Sequence, residues 1–298
     1  MAFMNRRQFH QGLLGATASL CLPRGALSKT PDSLVARAAR AQLSPSEYPE
    51  TDVWAYGGSV PGPLIRVPQG ERVSRRFVNR LPQSSSVHWH GIRIDNAMDG
   101  VVGLTQEAVE SDGDFLYDFT APDAGTYWYH PHNRTWEQMA RGLYGALIVE
   151  EPEGAPEVDF DEVLMIDDWR LTDQAQISDD FGNLHDWSHA GRIGNWITVN
   201  GYGAWSREVQ HHGRWRLRLV NTANARVFSL EARGLNGWVV ALDGMPLEAP
   251  ERLVRLNLAP SQRADIVVDV TAEDGGEAML VSFERDGGFA IASFPVRG

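Results

Sequence analysis

The sequence predicts an all-β protein with two domains, each a sandwich or small barrel. Short apolar and aromatic segments recur along the chain between Gly- and Pro-rich turns, which is typical of many short strands. The 298 residues suffice for two domains of ordinary size, and 43% hydrophobic with 22% charged residues is a globular composition. Segment 150–156 is acidic and rich in Pro and Gly, so we interpret it as a linker.

Each half of the chain has its own series of predicted strands. Those of the first half cover 53–56, 64–67, 72–79, 86–92, 115–119, 125–130 and 145–149, with one helical turn at 135–141. Those of the second half cover 163–166, 197–200, 214–220, 227–231, 238–242 and 264–270. In segment 214–220 Arg alternates with apolar residues, so we expect its arginines to lie on a face exposed to water.

Two histidine pairs, His88-Trp89-His90 and His130-Pro131-His132, are the strongest chemical signal in the sequence. Alternate residues of a β-strand point to the same face, so each pair directs two imidazoles the same way. Two such strands side by side would bring four imidazoles into one small volume. Neutral imidazole is a ligand for copper, zinc, iron and nickel, so the pattern predicts a metal site.

The other histidines of residues 29–298 lack this pattern. His185 and His189 are four residues apart, but segment 183–191 is polar and flanked by Gly, so we interpret it as a surface loop. His211 and His212 precede a glycine, which is typical of a turn.

The N-terminus has the features of an export signal. Arg6 and Arg7 form a twin-arginine pair, a short apolar stretch follows, and Ala26-Leu27-Ser28 is a small-x-small cleavage pattern. We expect residues 1–28 to be removed and the mature protein to be periplasmic or extracellular; an ordinary N-terminal helix starting at Arg6 is the alternative. No apolar run reaches about 18 residues, so we expect no membrane span in the mature chain.

Charge and cysteine content exclude two classes of function. The formal net charge is −12, and loss of residues 1–28 would leave 24 basic against 39 acidic residues. Such a surface repels nucleic acid, so no nucleic-acid partner is expected. The one cysteine, Cys21, falls within the predicted signal. Since a blue-copper site needs a cysteine thiolate, none can be built from residues 29–298.

The histidine motifs and their surroundings carry a family resemblance. They closely resemble the first domain of multicopper oxidases, the laccase and ascorbate oxidase family, in His88-Trp89-His90-Gly91, 125–132 and Gly142-Leu143-Tyr144-Gly145. Stretches 199–201, 216–226 and 258–265 are similar to the family's second domain. The resemblance implies two cupredoxin-like Greek-key β-barrel or sandwich domains, at 29–153 and 154–298, after the signal at 1–28.

The resemblance also implies a copper centre. By its place in the motif, His88 resembles the family's type 2 copper ligand, and His90, His130 and His132 resemble type 3 ligands. Asp99 resembles an acid that donates protons during oxygen reduction in the family. An Asp-Gly pair is equally typical of a turn, so both interpretations of Asp99 stay open.

The family's third domain supplies the other half of the cluster ligands and the type 1 copper. Its His-x-x-His-x-His and His-Cys-His motifs do not occur in these 298 residues. We therefore expect a type 2 and type 3 copper half-site that does not turn over alone. A C-terminal segment, or a third cupredoxin domain in trans, would supply the rest.

Two functions from different classes fit these observations. The first is an exported copper-dependent oxidase, which would take electrons from phenolic or other organic reductants or from metal ions and reduce dioxygen to water. The alternative is a non-enzymatic protein of the cell envelope, a copper-binding or structural cupredoxin-like module. The intact histidine pairs favour the first function, and the missing cysteine favours the second.

Overall fold

Four mixed β-sheets make up residues 32–298, the part of the chain that the computed structural model describes. The predicted export signal at 1–28 lies outside the described residues. The expectation of an all-β fold is confirmed, because the helices in this part of the chain are single turns. None of them has the length or hydropathy of a membrane-spanning segment.

Two sheets of four strands each come from the first half. Their strands are β1 (Asp32–Ala41), β2 (Thr51–Tyr56), β3 (Ile65–Pro68), β4 (Arg72–Arg80), β5 (His88–His90), β6 (Asp114–Thr120), β7 (Gly125–His130) and β8 (Gly145–Glu150). One sheet has the order β2-β1-β4-β6 and the other β3-β8-β7-β5. A 3₁₀ helix covers Asn96–Met98, and helix α1 (Thr135–Gln138) occupies the predicted helical turn. Strand β1 was not predicted from the sequence.

Sheets of six and five strands come from the second half. Their strands are β9 (Phe160–Trp169), β10 (Trp196–Val199), β11 (Trp205–Ser206), β12 (Arg214–Asn221), β13 (Phe228–Arg233), β14 (Leu235–Leu242), β15 (Met245–Arg252), β16 (Leu256–Leu258), β17 (Arg263–Val270), β18 (Glu277–Glu284) and β19 (Gly287–Pro295). The sheet orders are β10-β9-β12-β17-β14-β15 and β11-β19-β18-β13-β16. Helix α2 (Leu184–Ser188) lies between β9 and β10.

An apolar core joins the two halves. Within the described residues, no sheet combines strands from both halves, but one hydrophobic cluster contains Trp128 and Ile148 from the first and Met165, Trp169 and Val220 from the second. The first-half sheet that contains β7 is therefore covered on both faces, and every residue of β7 is buried. Residues 32–298 accordingly form one compact unit, and the domain boundary at residue 153 stays a prediction.

The expectation that the arginines of 214–220 face water is wrong for Arg216 and Arg218. Both are buried, at 4% and 1% exposure, on the face of β12 that points toward the first half. Carboxylates compensate their charge: Arg216 Nη2 donates to Asp265 Oδ2 at 2.6 Å, and Arg218 Nε donates to Asp161 Oδ1 at 2.7 Å. The predicted alternation of two faces is correct. The face that carries the arginines is buried because carboxylates distant in the sequence pair with them.

Candidate metal centre

The two histidine motifs meet where β5 pairs with β7. The strands are antiparallel, with His88 opposite His130 and His90 opposite Trp128. Trp89, between the two histidines of β5, points the other way and packs in the core against Phe119 and Tyr129. The strand period of two thus sends the imidazoles to one face and the anchoring tryptophan to the other, as predicted.

His88, His90 and His130 form a compact group. Each offers one ring nitrogen, and these three nitrogens lie within 4.8 Å of one another. His90 Nδ1 and His130 Nε2 lie 3.2 Å apart. Trp128 packs beside His130 with ring centroids 4.3 Å apart, which limits how far that imidazole can turn.

Backbone carbonyls fix the orientation of two of these rings. His88 Nδ1 lies 2.8 Å from the carbonyl oxygen of Asp99, and His130 Nδ1 lies 2.9 Å from that of Pro131. A carbonyl can only accept, so each Nδ1 carries the proton and donates it. Both Nε2 atoms then carry a lone pair, and that of His130 faces His90 Nδ1 at 3.2 Å. An outer hydrogen bond of this kind at Nδ1 is typical of histidines that ligate metals.

The surroundings keep these imidazoles neutral. Burial lowers the pKa of His90 to about 3, and the positive charge of Arg263 adds to this effect. Burial likewise lowers the pKa of His130 well below its usual value. It also lowers the pKa of His88, although the hydrogen bond to Asp99 opposes the shift. A neutral imidazole is the form that binds metal, so the electrostatics favour a metal site.

His132 lies just beyond the end of β7, because the strand stops at His130 and Pro131 has no N–H with which to continue the ladder. Its ring is exposed, and its centroid is 5.2 Å from that of His88. The backbone N–H of His132 donates to Ser86 Oγ at 3.1 Å, which ties this loop to the residues before β5. The structure thus brings all four predicted histidines together, with His132 on the solvent side.

Asp99 lies in a turn and beside His88, and its role as a proton donor stays a prediction. Its carbonyl orients His88, and its carboxylate Oδ1 lies 3.4 Å from the same His88 Nδ1. Gly100 follows with φ of +79°, and a Cβ there would lie 1.8 Å from the carbonyl oxygen of Val87. The turn is therefore packed directly against Val87, the residue before His88. This packing places the carboxylate of Asp99 at the edge of the histidine group.

Sequence reasoning missed Arg263 as a neighbour of this site. It lies in the stretch 258–265 of the second half, far from both histidine motifs in the sequence. Its guanidinium lies where a Cβ on Gly91 would be, 2.1 Å from Nη2, and its Nε donates to the carbonyl of Thr126 at 3.2 Å. Arg263 therefore contacts β7 and the residue that follows β5, although it lies 137 residues from Thr126 in the sequence. No local pattern could have indicated this contact.

The remaining histidines lie elsewhere in the fold. His185 and His189 sit on and just after the exposed helix α2, so the expected loop is a short helix, although its surface position was predicted correctly. Asn183 allows this helix to begin, because its side chain accepts a hydrogen bond from the N–H of His185 at 2.7 Å. His211 and His212 form a turn, as predicted.

The residues of the site fit copper. Three ring nitrogens of neutral imidazoles converge on a rigid strand pair, and a fourth imidazole lies nearby. No carboxylate is among the converging atoms. Such a set of donors suits a borderline metal ion. Mg²⁺ and Ca²⁺ require oxygen ligands and do not match it.

Comparison with known proteins agrees with this geometry. Two multicopper oxidase family models match residues 37–154 and 160–289. Copper resistance protein A of Pseudomonas syringae pv. tomato is 29% identical over 90% of this chain and 53% of its own length. Multicopper oxidase MmcO of Mycobacterium tuberculosis is 31% identical over 94% of this chain and 64% of its own length.

Solved structures give the same relationship. The crystal structure of Lac15 from a marine microbial metagenome is 46% identical, with a TM-score of 0.79 over 90% of this chain and 67% of that one. The multi-copper oxidase of Pseudomonas thermotolerans is 32% identical, with a TM-score of 0.82 over 90% of this chain and 63% of that one. The chain thus spans between about half and two thirds of the length of these relatives. It belongs to the multicopper oxidase family, whose cofactor is copper.

Proposed function

We propose that the chain forms part of an exported copper-dependent oxidase and supplies half of its copper ligands. His88 would be a type 2 ligand, and His90, His130 and His132 would be type 3 ligands. One observation carries the assignment: three ring nitrogens lie within 4.8 Å of one another, and backbone carbonyls orient two of the rings. Outer hydrogen bonds that orient converging imidazoles in this way are typical of metal-ligating histidines.

Bound copper would supply the redox chemistry, passing electrons from a reductant to dioxygen. The protein's own groups have separate tasks. Neutral imidazoles hold the metal without adding charge, and buried His130 and Trp128 cover it on the side of the strand pair. Asp99, beside His88, is positioned to hold a proton at its carboxylate oxygen and deliver it when oxygen is reduced.

A partner would complete the centre. No cysteine occurs after Cys21, so an electron-accepting type 1 site must come from outside these residues. We propose that a third cupredoxin domain, either continuous with this chain or a separate polypeptide, contributes the remaining histidines and the thiolate. The proposed reductants are phenolic or other organic molecules, or metal ions.

The same missing thiolate favours a second candidate, a copper-binding or structural cupredoxin-like module of the cell envelope with no turnover. The two functions differ in one measurable property. The oxidase should consume oxygen once a third domain is added, and the module should bind copper with no change in oxygen uptake.

Oxygen uptake by the copper-loaded chain, mixed or fused with a third cupredoxin domain of a relative, tests the oxidase. We expect uptake with a phenolic reductant only when both parts are present. The double variant His90→Ala/His132→Ala should abolish it, and His211→Ala/His212→Ala, which removes two imidazoles from a distant turn, should not. Uptake by the chain alone, or uptake that survives the first double variant, would contradict the half-site proposal.

Export is proposed on the twin-arginine pair Arg6-Arg7 and the cleavage pattern that ends at Ser28. Intact-mass measurement of the protein from its native cells should give a chain beginning near residue 29. A chain that keeps Met1 and is recovered from the cytoplasm would exclude this interpretation.

A further inference from the structure

Helix α2 carries two histidines that the copper centre does not use. His185 lies in the helix and His189 caps its C-terminus, so their spacing of four residues places both rings on one side. Both residues are exposed, and the rings lie face to face with centroids 4.1 Å apart and planes inclined by 23°. Two imidazoles so close on one helical face are within reach of a single metal ion.

The hydrogen bonds of His189 prepare it to be a ligand. Its Nδ1 lies 3.1 Å from the carbonyl oxygen of His185, to which it donates, and 2.9 Å from Ser188 Oγ. The proton therefore sits on Nδ1, and the exposed Nε2 keeps its lone pair. This is the outer-hydrogen-bond arrangement that orients metal-ligating histidines. The ring of His185 makes no hydrogen bond within residues 32–298, so both of its nitrogens are available.

The helix is anchored although it is short. Asp186, the residue after His185, receives two hydrogen bonds from Arg170, at 2.9 and 3.0 Å. Arg170 also donates to Asp180 at 2.7 Å, and Arg192 donates to the other oxygen of Asp180 at 2.6 Å. These contacts attach α2 to the end of β9, so the histidine pair stands on a fixed base and needs only side-chain rotation to bind.

We propose that His185 and His189 form a second metal site, separate from the His88–His132 centre, which binds Cu(II) through both imidazoles. Nitrogen ligands exclude Mg²⁺ and Ca²⁺, and the affinities of such ligands for divalent ions reach their maximum at copper, so Cu(II) should bind more tightly than Zn(II). With two protein ligands and an exposed position, water or a small molecule fills the other coordination positions. The site is thus suited to reversible capture of a metal ion at the surface.

Chemical modification of single histidines tests this site in the full chain. Diethyl pyrocarbonate acylates free imidazole, and peptide mass spectrometry reports His185 and His189 separately. Cu(II) chloride, titrated in a buffer that does not chelate, should protect both residues over the same concentration range, and EDTA should reverse the protection. Zn(II) should protect them only at higher concentration.

The variant His185→Gln distinguishes chelation from independent binding. The second imidazole binds its ion intramolecularly, so its loss should raise the Cu(II) concentration that protects His189 by roughly 100-fold. His211→Gln, which removes one imidazole from the turn at 211–212, should leave the protection of His185 and His189 unchanged. The exposed position and the helix-compatible glutamine should preserve the fold, which circular dichroism checks. Protection of His189 at the same Cu(II) concentration in His185→Gln, or no protection of either residue by Cu(II) in large excess, would overturn the proposal.

Discussion

His88 lies directly opposite His130 in the antiparallel pair of β5 and β7, with ring centroids 5.3 Å apart. This one cross-strand relationship joins two motifs that are far apart in the sequence. A register shift of one residue would turn the imidazoles of one strand into the core and its aromatic residues outward. The metal centre therefore depends on the strand register.

The turn at Gly100 should be intolerant of a side chain. In Gly100→Ala the new Cβ would meet the backbone carbonyl of Val87, which cannot move without displacing His88. We expect a loss of about 3 kcal/mol or more in the free energy of unfolding, from the clash and the unfavourable φ together. Gly70→Ala is the matched control, because φ is +82° there and no atom lies within 4 Å. It should cost only about 1–2 kcal/mol in urea unfolding, the cost of the left-handed backbone alone. Equal losses would show that the contact with Val87 is not critical.

Cu(II) should stabilise the chain without turning it blue. If only the folded state binds the ion, a free ion concentration of about 100 times the dissociation constant raises the free energy of unfolding by about 2.7 kcal/mol. The rise in melting temperature should be much smaller in His90→Gln and unchanged in His211→Gln. No cysteine follows Cys21, so the absorption of the loaded mature chain should lack an intense thiolate-to-copper band. An intense thiolate-to-copper band, as in a blue-copper protein, would disprove this assignment.

Two arginines of β12 should differ sharply in their contribution to stability. Arg214 and Arg218 each make a two-bond pair with an aspartate, Asp269 and Asp161 respectively. The side chain of Arg214 is 51% exposed and that of Arg218 is 1% exposed. Arg218→Ala should therefore cost about 3 kcal/mol, because it removes the two-bond partner of Asp161 and one of the two guanidinium groups that neutralise buried Asp265.

Arg214→Ala is the control for this comparison and should cost less than about 1 kcal/mol. Urea unfolding of both variants measures the difference. A small loss for Arg218→Ala would mean that water or a rearranged side chain replaces the guanidinium between the two halves.

Acid should destabilise the metal-free chain through its histidines. The pKa values of His88, His90 and His130 are lowered by folding, so below about pH 6.5 these three histidines bind more protons in the unfolded chain than in the folded chain. Their contribution is complete above pH 6.5 and is lost as the pH falls toward the pKa of about 3 of His90. Asp167, whose pKa burial raises well above its usual value, acts in the opposite direction.

The double variant His90→Gln/His130→Gln isolates the histidine contribution. The difference in free energy of unfolding between pH 7 and pH 5 should be smaller in the variant than in the wild type, measured by urea unfolding at each pH. The variant keeps Asp167, so the comparison removes its effect. Identical differences in the two proteins would mean that the imidazoles are already accessible to protons in the folded state.

The sequence by itself determined the fold class, most of the strands and the grouping of the four histidines. Period-two alternation and Gly or Pro turns are local properties, so they can be read without a structure. Segment 125–130 was predicted with the same bounds that the structure gives β7, and the spacing of His88 and His90 was enough to place both imidazoles on one face. Local signals also sufficed for the turn at His211 and His212.

Only the tertiary structure decided how the polar residues are used. The local pattern around Arg216 and Arg218 is that of a wet face, yet Asp265 and Asp161 meet them in a buried interface. Arg263 contacts Gly91 across the same interface, and the carbonyl of Asp99 fixes the tautomer of His88. Each of these contacts joins residues at least 11 positions apart in the sequence. A charged side chain can be buried only where the fold places a partner of opposite charge beside it, and the periodicity of the local sequence gives no information about that partner.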